Sequence, residues 1–231
     1  MGLKRYGPIA LIAMVALTLA PQAFATAQLK ISDSAGNSVF ITDNGGAGTC
    51  VGIVPADCVD KNGAVNVVTF IGVIGTWSLN VSTGSSHGAL AGTDLDLNSV
   101  NNTTAAGTLT IQFSDDGFPT ATGHDFSVGG TLSGPMTVSF KEFSGANRFD
   151  QTTQLGSTLT FNTNPFNGAT AGVSLAGQPA LTLVATLTAT GAAGTSFDAQ
   201  LTPVPEPASV ALFGGVLLLS VGAIRRKMGR V

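Results

Sequence analysis

The residues of this chain that could support chemistry include a serine motif in its middle third. The stretch Gly84-Ser85-Ser86-His87-Gly88 fits G-x-S-x-G, the pattern of a hydrolase nucleophile elbow. That chemistry needs the middle serine on a sharp strand-to-helix turn, with an acid and a histidine supplied later in the chain. No amphipathic helix is predicted after Gly88, where the sequence continues as an Ala-Gly-Thr loop. We therefore interpret the match as a structural loop.

Acidic residues suggest two further kinds of site. Asp94, Asp96 and Asn98 share one face of a predicted strand, and 115–117 (Asp-Asp-Gly) is a predicted turn; both offer oxygens to calcium. Neither stretch has EF-hand or glycine-rich nonapeptide spacing, so we favour a solvated strand face and an ordinary turn. Glu142 is the only glutamate between residues 26 and 203. Its pairing with an aspartate in a glycosidase-like site stays open.

The elements that must position these residues are strands, because polarity alternates with a period of two. Leu109, Ile111 and Phe113 are predicted to face a core, and so are Met136, Val138 and Phe140. The intervening Thr108, Thr110 and Gln112 are predicted to face water. Shorter alternating segments lie at 29–31, 39–41, 77–81, 95–97, 159–161 and 181–187. The sole tryptophan, Trp77, lies in one of these segments and is predicted to be a core residue.

Turn signals separate the alternating segments, at 44–46, 62–63, 115–117, 129–130 and 191–192. The segments 101–107 and 189–195 are predicted to be loops. No sustained 3.6-residue apolar stripe appears in 26–203, so helical crossovers between parallel strands are not expected. The fold class that follows is all-β, an antiparallel β-sandwich of jelly-roll-like type, over residues 26–203. A β-solenoid is the alternative that the Gly/Thr/Asn-rich composition leaves open.

The charge of residues 26–203 bears on whether the chain can bind nucleic acid. Residues 26–203 hold four basic side chains (Lys30, Lys61, Lys141 and Arg148) against twelve acidic ones. Nothing in this set can neutralise a row of phosphates, so nucleic-acid binding is not expected.

The N-terminal residues 1–25 have the three parts of a secretory signal peptide. Lys4 and Arg5 form a positive region, 9–19 is apolar, and Ala23-Phe24-Ala25 fits an A-x-A cleavage site for signal peptidase. An uncleaved N-terminal anchor is the alternative, although the apolar stretch is short for a membrane span.

Export gives the two cysteines a specific interpretation. Cys50 and Cys58 are the only cysteines of the chain, and an oxidising compartment favours a disulfide between them, with two free thiols as the alternative. The two histidines, His87 and His124, stand alone without zinc-ligand spacing. The sequence therefore predicts no metal site and no cofactor.

The C-terminal residues 204–231 have a distinct three-part organisation. Val204-Pro205-Glu206-Pro207 precedes an uncharged apolar segment, 208–224, which is followed by Arg225-Arg226-Lys227 in the basic tail 225–231. As a helix, 208–224 spans about 25 Å at ~1.5 Å per residue, the low end of what crosses a bilayer core. The basic cluster would remain cytoplasmic. This order of parts resembles the PEP-CTERM sorting signal of Gram-negative bacteria that produce exopolysaccharide.

The resemblance implies a processing route for the protein. An exosortase, a membrane-embedded cysteine enzyme, would cut near Pro205-Glu206-Pro207 and release the chain from an inner-membrane intermediate to the cell surface or extracellular matrix. We then expect a non-enzymatic structural or adhesive component of an exopolysaccharide or biofilm matrix. The alternative is a secreted carbohydrate-binding or carbohydrate-active sandwich. An enzyme of that kind would need clustered carboxylates and exposed aromatic rings along a groove.

Overall fold

Alternating polarity produces strands along most of the described part of the chain. The computed structural model describes residues 26–54, 57–86, 94–118, 123–174 and 180–204. These ranges contain thirteen strands: β1 (Gln28–Asp33), β2 (Ser38–Thr42), β3 (Thr49–Val51), β4 (Val67–Ile74), β5 (Trp77–Ser86), β6 (Leu95–Thr103), β7 (Gly107–Asp115), β8 (Gly123–Ser133), β9 (Met136–Gly145), β10 (Thr153–Phe161), β11 (Phe166–Ser174), β12 (Ala180–Ala189) and β13 (Ala193–Val204). Within the described residues, no helix is long and apolar enough to cross a membrane.

The strands form two antiparallel sheets. The seven-stranded sheet has the order β10-β9-β12-β7-β1-β2-β3, and the six-stranded sheet has the order β11-β8-β13-β6-β5-β4. Successive connections from β6 to β9 and from β10 to β13 carry the chain from one sheet to the other. The predicted antiparallel sandwich is therefore confirmed for the described residues. The solenoid alternative is wrong, because neighbouring strands here pair antiparallel and do not stack as parallel coils.

The core lies between the inner faces of the two sheets, as the alternation predicts. Leu109, Ile111 and Phe113 are buried, and so are Met136, Val138 and Phe140 on β9. Thr108, Thr110 and Gln112 lie on the opposite face of β7 and are partly exposed. Trp77 is buried, in agreement with its prediction as a core residue.

Four phenylalanines join the sheets at one side of this core. Phe140 of β9 contacts Phe197 of β13 edge to face, with ring centroids 5.0 Å apart. Its centroid lies 6.0 Å from that of Phe166 on β11 and 6.3 Å from that of Phe161 on β10. Phe161 and Phe166 stack at 4.9 Å. Because two rings come from each sheet, the cluster ties the two layers together.

Three of the predicted turn and loop segments differ from the structure. Gly129 and Gly130 are not in a turn but within β8. A Cβ on Gly130 would lie 2.2 Å from the Ser196 carbonyl oxygen and 2.6 Å from the Phe166 ring, so this glycine allows a close approach within the sheet. The predicted loop 101–107 is also partly strand, because β6 continues to Thr103. The predicted loop 189–195 shortens to a turn between β12 and β13.

Candidate functional site

The outer face of the six-stranded sheet is polar across four adjacent strands. Apolar residues of these strands turn inward, such as Leu95 and Leu97 on β6 and Phe197 and Ala199 on β13. Their polar neighbours must then point outward, since alternate side chains take opposite faces. We call the resulting surface the polar face; apart from the apolar Val100 on β6, its outward residues include Thr83, Ser85, Asp96, Asn98, Asn102, Asp125, Ser127, Gly129, Thr131, Ser133, Ser196, Asp198 and Gln200.

Two depressions lie one after the other along β13 on this face, and together we call them the groove. One part, of about 420 Å³, is lined by Ser127, Gly129, Asp198 and Gln200 with the backbone of Val128. The other part, of about 320 Å³, is lined by residues that include Val100, Asn102, Thr131, Ser133, Gly194 and Ser196. Successive outward positions of β13, from 194 to 200, line both parts. The groove therefore extends for roughly 20 Å at ~3.3 Å per residue.

Two carboxylates lie beside the groove on neighbouring strands. Gln200 stands directly opposite Asp96 in the β13–β6 register, and its amide donates a 2.9 Å hydrogen bond to Asp198 Oδ2. The amide of Asn98 donates to Asp96 Oδ1. Burial, reinforced by the Asp198 charge, raises the pKa of Asp96 to about 7. Burial likewise raises the pKa of Asp198, against the hydrogen bond from Gln200.

The serine motif does not form a nucleophile elbow. Gly84, Ser85 and Ser86 belong to strand β5, and the rest of the motif lies outside the described residues. The Ser86 hydroxyl points inward and donates a 2.5 Å hydrogen bond to Asp115 Oδ2. A Cβ on Gly84 would lie 2.1 Å from the Phe113 ring, so this glycine is required for packing between the sheets. The described residues of the motif, 84–86, belong to a strand, so the loop interpretation is wrong for them.

His124 has a carboxylate partner that the sequence did not reveal. Its Nε2 lies 2.5 Å from Asp94 Oδ2, and the imidazole is completely buried. Asp94 is therefore engaged at the start of β6, apart from the outward pair Asp96 and Asn98. The described residues hold no group of three or more His, Cys, Asp and Glu side chains suited to a metal.

The predicted oxygen cluster at 115–117 is also separated, because its two aspartates point in different directions. Asp115 points into the sandwich, where Ser86 binds it, whereas Asp116 lies 3.5 Å from the Arg148 guanidinium at the surface. Gly117 has φ +85°, in keeping with the predicted turn. These residues cap the end of β7 and do not converge on one point.

Glu142 lies between the sheets and away from the groove. Its Oε1 accepts a 3.0 Å hydrogen bond from Thr170 of β11. Burial raises its pKa to about 7; the Thr170 bond opposes this rise and the Asp125 charge adds to it. A carboxyl enclosed in this way cannot reach a chain lying in the groove.

The groove has no aromatic ring among its described lining residues. The large apolar side chains that are exposed in the described ranges are all aliphatic: Val100 in the groove, and Val51, Val54, Val65, Ile71 and Val73 elsewhere. The described lining of the groove therefore offers hydrogen-bonding groups and no ring for stacking.

Other predicted residues have the following positions. Cys50 of β3 and Cys58 are joined by a disulfide, with their Cα atoms 6.1 Å apart. Val204 is the last residue of β13. The signal-cleavage residues Ala23 and Ala25, the motif residues Pro205, Glu206 and Pro207, the helix 208–224 and the basic residues Arg225, Arg226 and Lys227 lie outside the described residues.

Sequence reasoning missed Asp198 and Gln200, which line the groove. A signal was present, because Phe197, Ala199 and Leu201 alternate with Asp198, Gln200 and Thr202. That alternation predicts an outward polar edge on the last strand. It could not predict that this strand lies between β6 and β8.

The chain matches no protein-family model and no curated protein. Among solved structures, it is similar to TmCBM61 in complex with β-1,4-galactotriose, with 8% identity over 58% of this chain and 92% of that chain, at TM-score 0.37. It is also similar to the N-terminal cellulose-binding domain of Cellulomonas fimi β-1,4-glucanase C, with 13% identity over 47% and 80% of the two chains, at TM-score 0.36. A family 11 carbohydrate-binding module from Clostridium thermocellum aligns at 12% identity over 63% and 92%, with TM-score 0.31. At these scores, the assignment of function depends on the geometry of this chain alone.

Proposed function

We propose that residues 26–204 form a non-catalytic module of an exported surface or matrix protein, and that this module binds a polysaccharide strand in the groove. The observation that carries the proposal is the groove of two depressions along β13, lined mainly by hydroxyl, amide and carboxylate groups from adjacent strands. An extended polymer of hydroxyl-bearing rings needs such a surface, because each hydroxyl both donates and accepts hydrogen bonds.

The charge of the groove selects among polysaccharides. Asp198 lines it and Asp125 lies on the same face, whereas none of its lining residues is basic. A strongly anionic polymer would be repelled there. We therefore propose a neutral polysaccharide as the ligand.

Binding without stacked rings is weak for a single module. Hydrogen bonds at an exposed surface contribute little net free energy each, because water competes for the same groups. Many copies held on one polymer or one cell surface would nevertheless bind with high avidity. This suits a structural or adhesive matrix component better than a scavenger of free oligosaccharides.

We propose the same sorting route that the sequence implies. Signal peptidase would leave Thr26 as the first residue, whose carbonyl oxygen accepts a 2.5 Å hydrogen bond from Arg148, followed by the buried Ala27. Exosortase cleavage near Pro205-Glu206-Pro207 would fall directly after β13, which ends at Val204. Both cuts would leave every described strand intact.

Affinity electrophoresis of the full chain tests the proposed function. The gels would contain the host's own exopolysaccharide, a neutral glucan, a neutral galactan or no polymer. We expect retarded migration in at least one neutral polymer, with no shortening of that polymer on prolonged incubation. Unchanged migration in all of them would contradict the binding proposal. Shortening of a polymer would instead support the alternative of a carbohydrate-active enzyme.

A further inference from the structure

Three side-chain oxygens on the polar face are buried without a hydrogen-bond partner among the described residues. They are Ser85 Oγ on β5, Asp96 Oδ2 on β6 and Asp198 Oδ1 on β13. Ser85 is 4% exposed and Asp96 is 1% exposed. Burying a polar oxygen without a partner is unfavourable, and burying carboxylate oxygens is more so. Three such oxygens on adjacent strands are therefore expected to bind a ligand that satisfies them.

The sheet register brings the three oxygens together. Ser85 and Asp96 are direct cross-strand partners, so their Cβ atoms lie ~5 Å apart on the same face. Asp198 stands opposite Asn98, diagonally beside Asp96, and Gln200 stands opposite Asp96. Diagonal neighbours lie within ~7–8 Å, which is within reach of a bridging group. The other carboxylate oxygens are occupied, Asp96 Oδ1 by Asn98 and Asp198 Oδ2 by Gln200.

We infer that Ser85, Asp96 and Asp198 form the centre of a calcium site, in which one Ca²⁺ joins β5, β6 and β13. The three partnerless oxygens would be direct ligands. The amides of Asn98 and Gln200 each carry a carbonyl oxygen beside the carboxylates and can turn it towards the ion. Water would complete the coordination. The site shares Asp198 and Gln200 with the lining of the groove, but it needs no occupant in the groove.

The chemistry of the donors favours calcium over other cations. All the donors are hard oxygens, and no nitrogen or sulfur ligand lies among them, which disfavours zinc and copper. Calcium accepts six to eight oxygens in irregular geometry, whereas magnesium demands a near-ideal octahedron and retains its water. The paired carboxylates also lack a counter-charge, because neither ion pair of the described residues involves them. A divalent cation would supply it.

Calorimetric titration of the full chain, stripped of metal with EDTA, tests this inference with CaCl₂ as the only ligand. We expect one Ca²⁺ per chain, with Kd on the order of 10⁻⁴ M or below and a higher unfolding temperature in calcium than in EGTA. Magnesium at the same concentration should produce a much smaller shift. No heat and no change in unfolding temperature at millimolar calcium would overturn the inference, as would equal responses to the two ions.

Variants locate the site. Asp198→Asn should weaken calcium binding at least about tenfold, and Ser85→Ala should weaken it several-fold. Asp125→Asn, which removes a charge from the same face but none of the three oxygens, should leave the affinity unchanged. Ser85→Ala removes one hydroxyl only, so its calcium affinity tests the placement of the site even if Asp198→Asn does not fold. Native affinity in Ser85→Ala, or a loss in Asp125→Asn equal to that in Asp198→Asn, would refute this placement.

Discussion

Replacing Phe140 by alanine tests how the two sheets are held together. This side chain is 1% exposed and contacts rings from both sheets, namely Phe161 beside it and Phe166 and Phe197 across the core. Truncation removes its apolar area from the core and leaves a cavity, and together these terms cost about 3–5 kcal/mol. The edge-to-face contact with Phe197 accounts for about 0.5–1.5 kcal/mol of that loss.

That loss is a large part of the stability of a single domain, which is about 5–15 kcal/mol. The matched control is Thr137→Ala on the same strand, because Thr137 faces solvent from the outer side of β9. It should cost well under ~1 kcal/mol. Phe140→Leu separates the two contributions, because it keeps much of the apolar volume and loses the ring contacts.

Urea denaturation of the three variants, followed by circular dichroism, gives the comparison. We expect Phe140→Ala to have a far lower midpoint than the native chain, Phe140→Leu to be intermediate, and Thr137→Ala to be nearly native. Equal midpoints for Phe140→Ala and Thr137→Ala would refute the assignment of β9 faces, and with it the packing of the two sheets.

Three further predictions concern titration, the disulfide and processing. The folded-state pKa values of Asp96 and Glu142 are about 7, above the ordinary values of 3.8 and 4.5, so the folded chain binds extra protons and stability should fall as pH rises from about 4 through 7. In calcium-free buffer, each carboxyl contributes up to ~1.4 kcal/mol per pH unit to the slope of unfolding free energy against pH. Glu142→Gln should make this slope shallower. A higher urea midpoint at pH 8 than at pH 5 would contradict the prediction. The Cys50–Cys58 disulfide should block alkylation until reduction, and its loss should cost about 2 kcal/mol or somewhat more; full labelling of the native, unreduced chain would show that the cysteines are free thiols. Mass spectrometry of surface protein from the native host should find a chain that begins at Thr26 and lacks 208–231, whereas tail peptides as abundant as domain peptides would contradict exosortase sorting.

The sequence predicts those parts of the fold where local alternation decides the outcome. The inward positions Leu109, Ile111 and Phe113 follow from their spacing, because a half-buried strand exposes alternate residues to core and to water. Gly129 and Gly130 show the limit of this reasoning. Locally, a glycine pair indicates a turn, but here Gly130 avoids a contact with Ser196, a residue on a strand far along the chain.

The candidate site depends on pairing that no local pattern contains. Spacing in the sequence groups Asp96 with Asn98 as oxygen donors, but in the structure its neighbours include Ser85 on β5 and Gln200 on β13. Ser85 meets Asp96 through the pairing of the consecutive strands β5 and β6, whereas Gln200 meets it only because β13 inserts between β6 and β8. Asp94, one residue from the start of β6, was grouped with Asp96 by spacing alone and binds His124 instead. Nonlocal strand order therefore decides which of the acids act together.

The most direct test of the central claim is to fill the groove without disturbing the sheet. Gly129 lies on the groove floor, and a Cβ there would have only the Phe166 carbonyl oxygen nearby, at 3.8 Å. Gly129→Gln should therefore fold and occupy the channel, whereas Thr188→Gln places the same side chain on the outer face of the opposite sheet. Affinity electrophoresis in the neutral polysaccharide that retards the native chain should show retardation lost in Gly129→Gln and retained in Thr188→Gln. Full retardation of Gly129→Gln would contradict the account, because the polymer would then bind somewhere other than the groove.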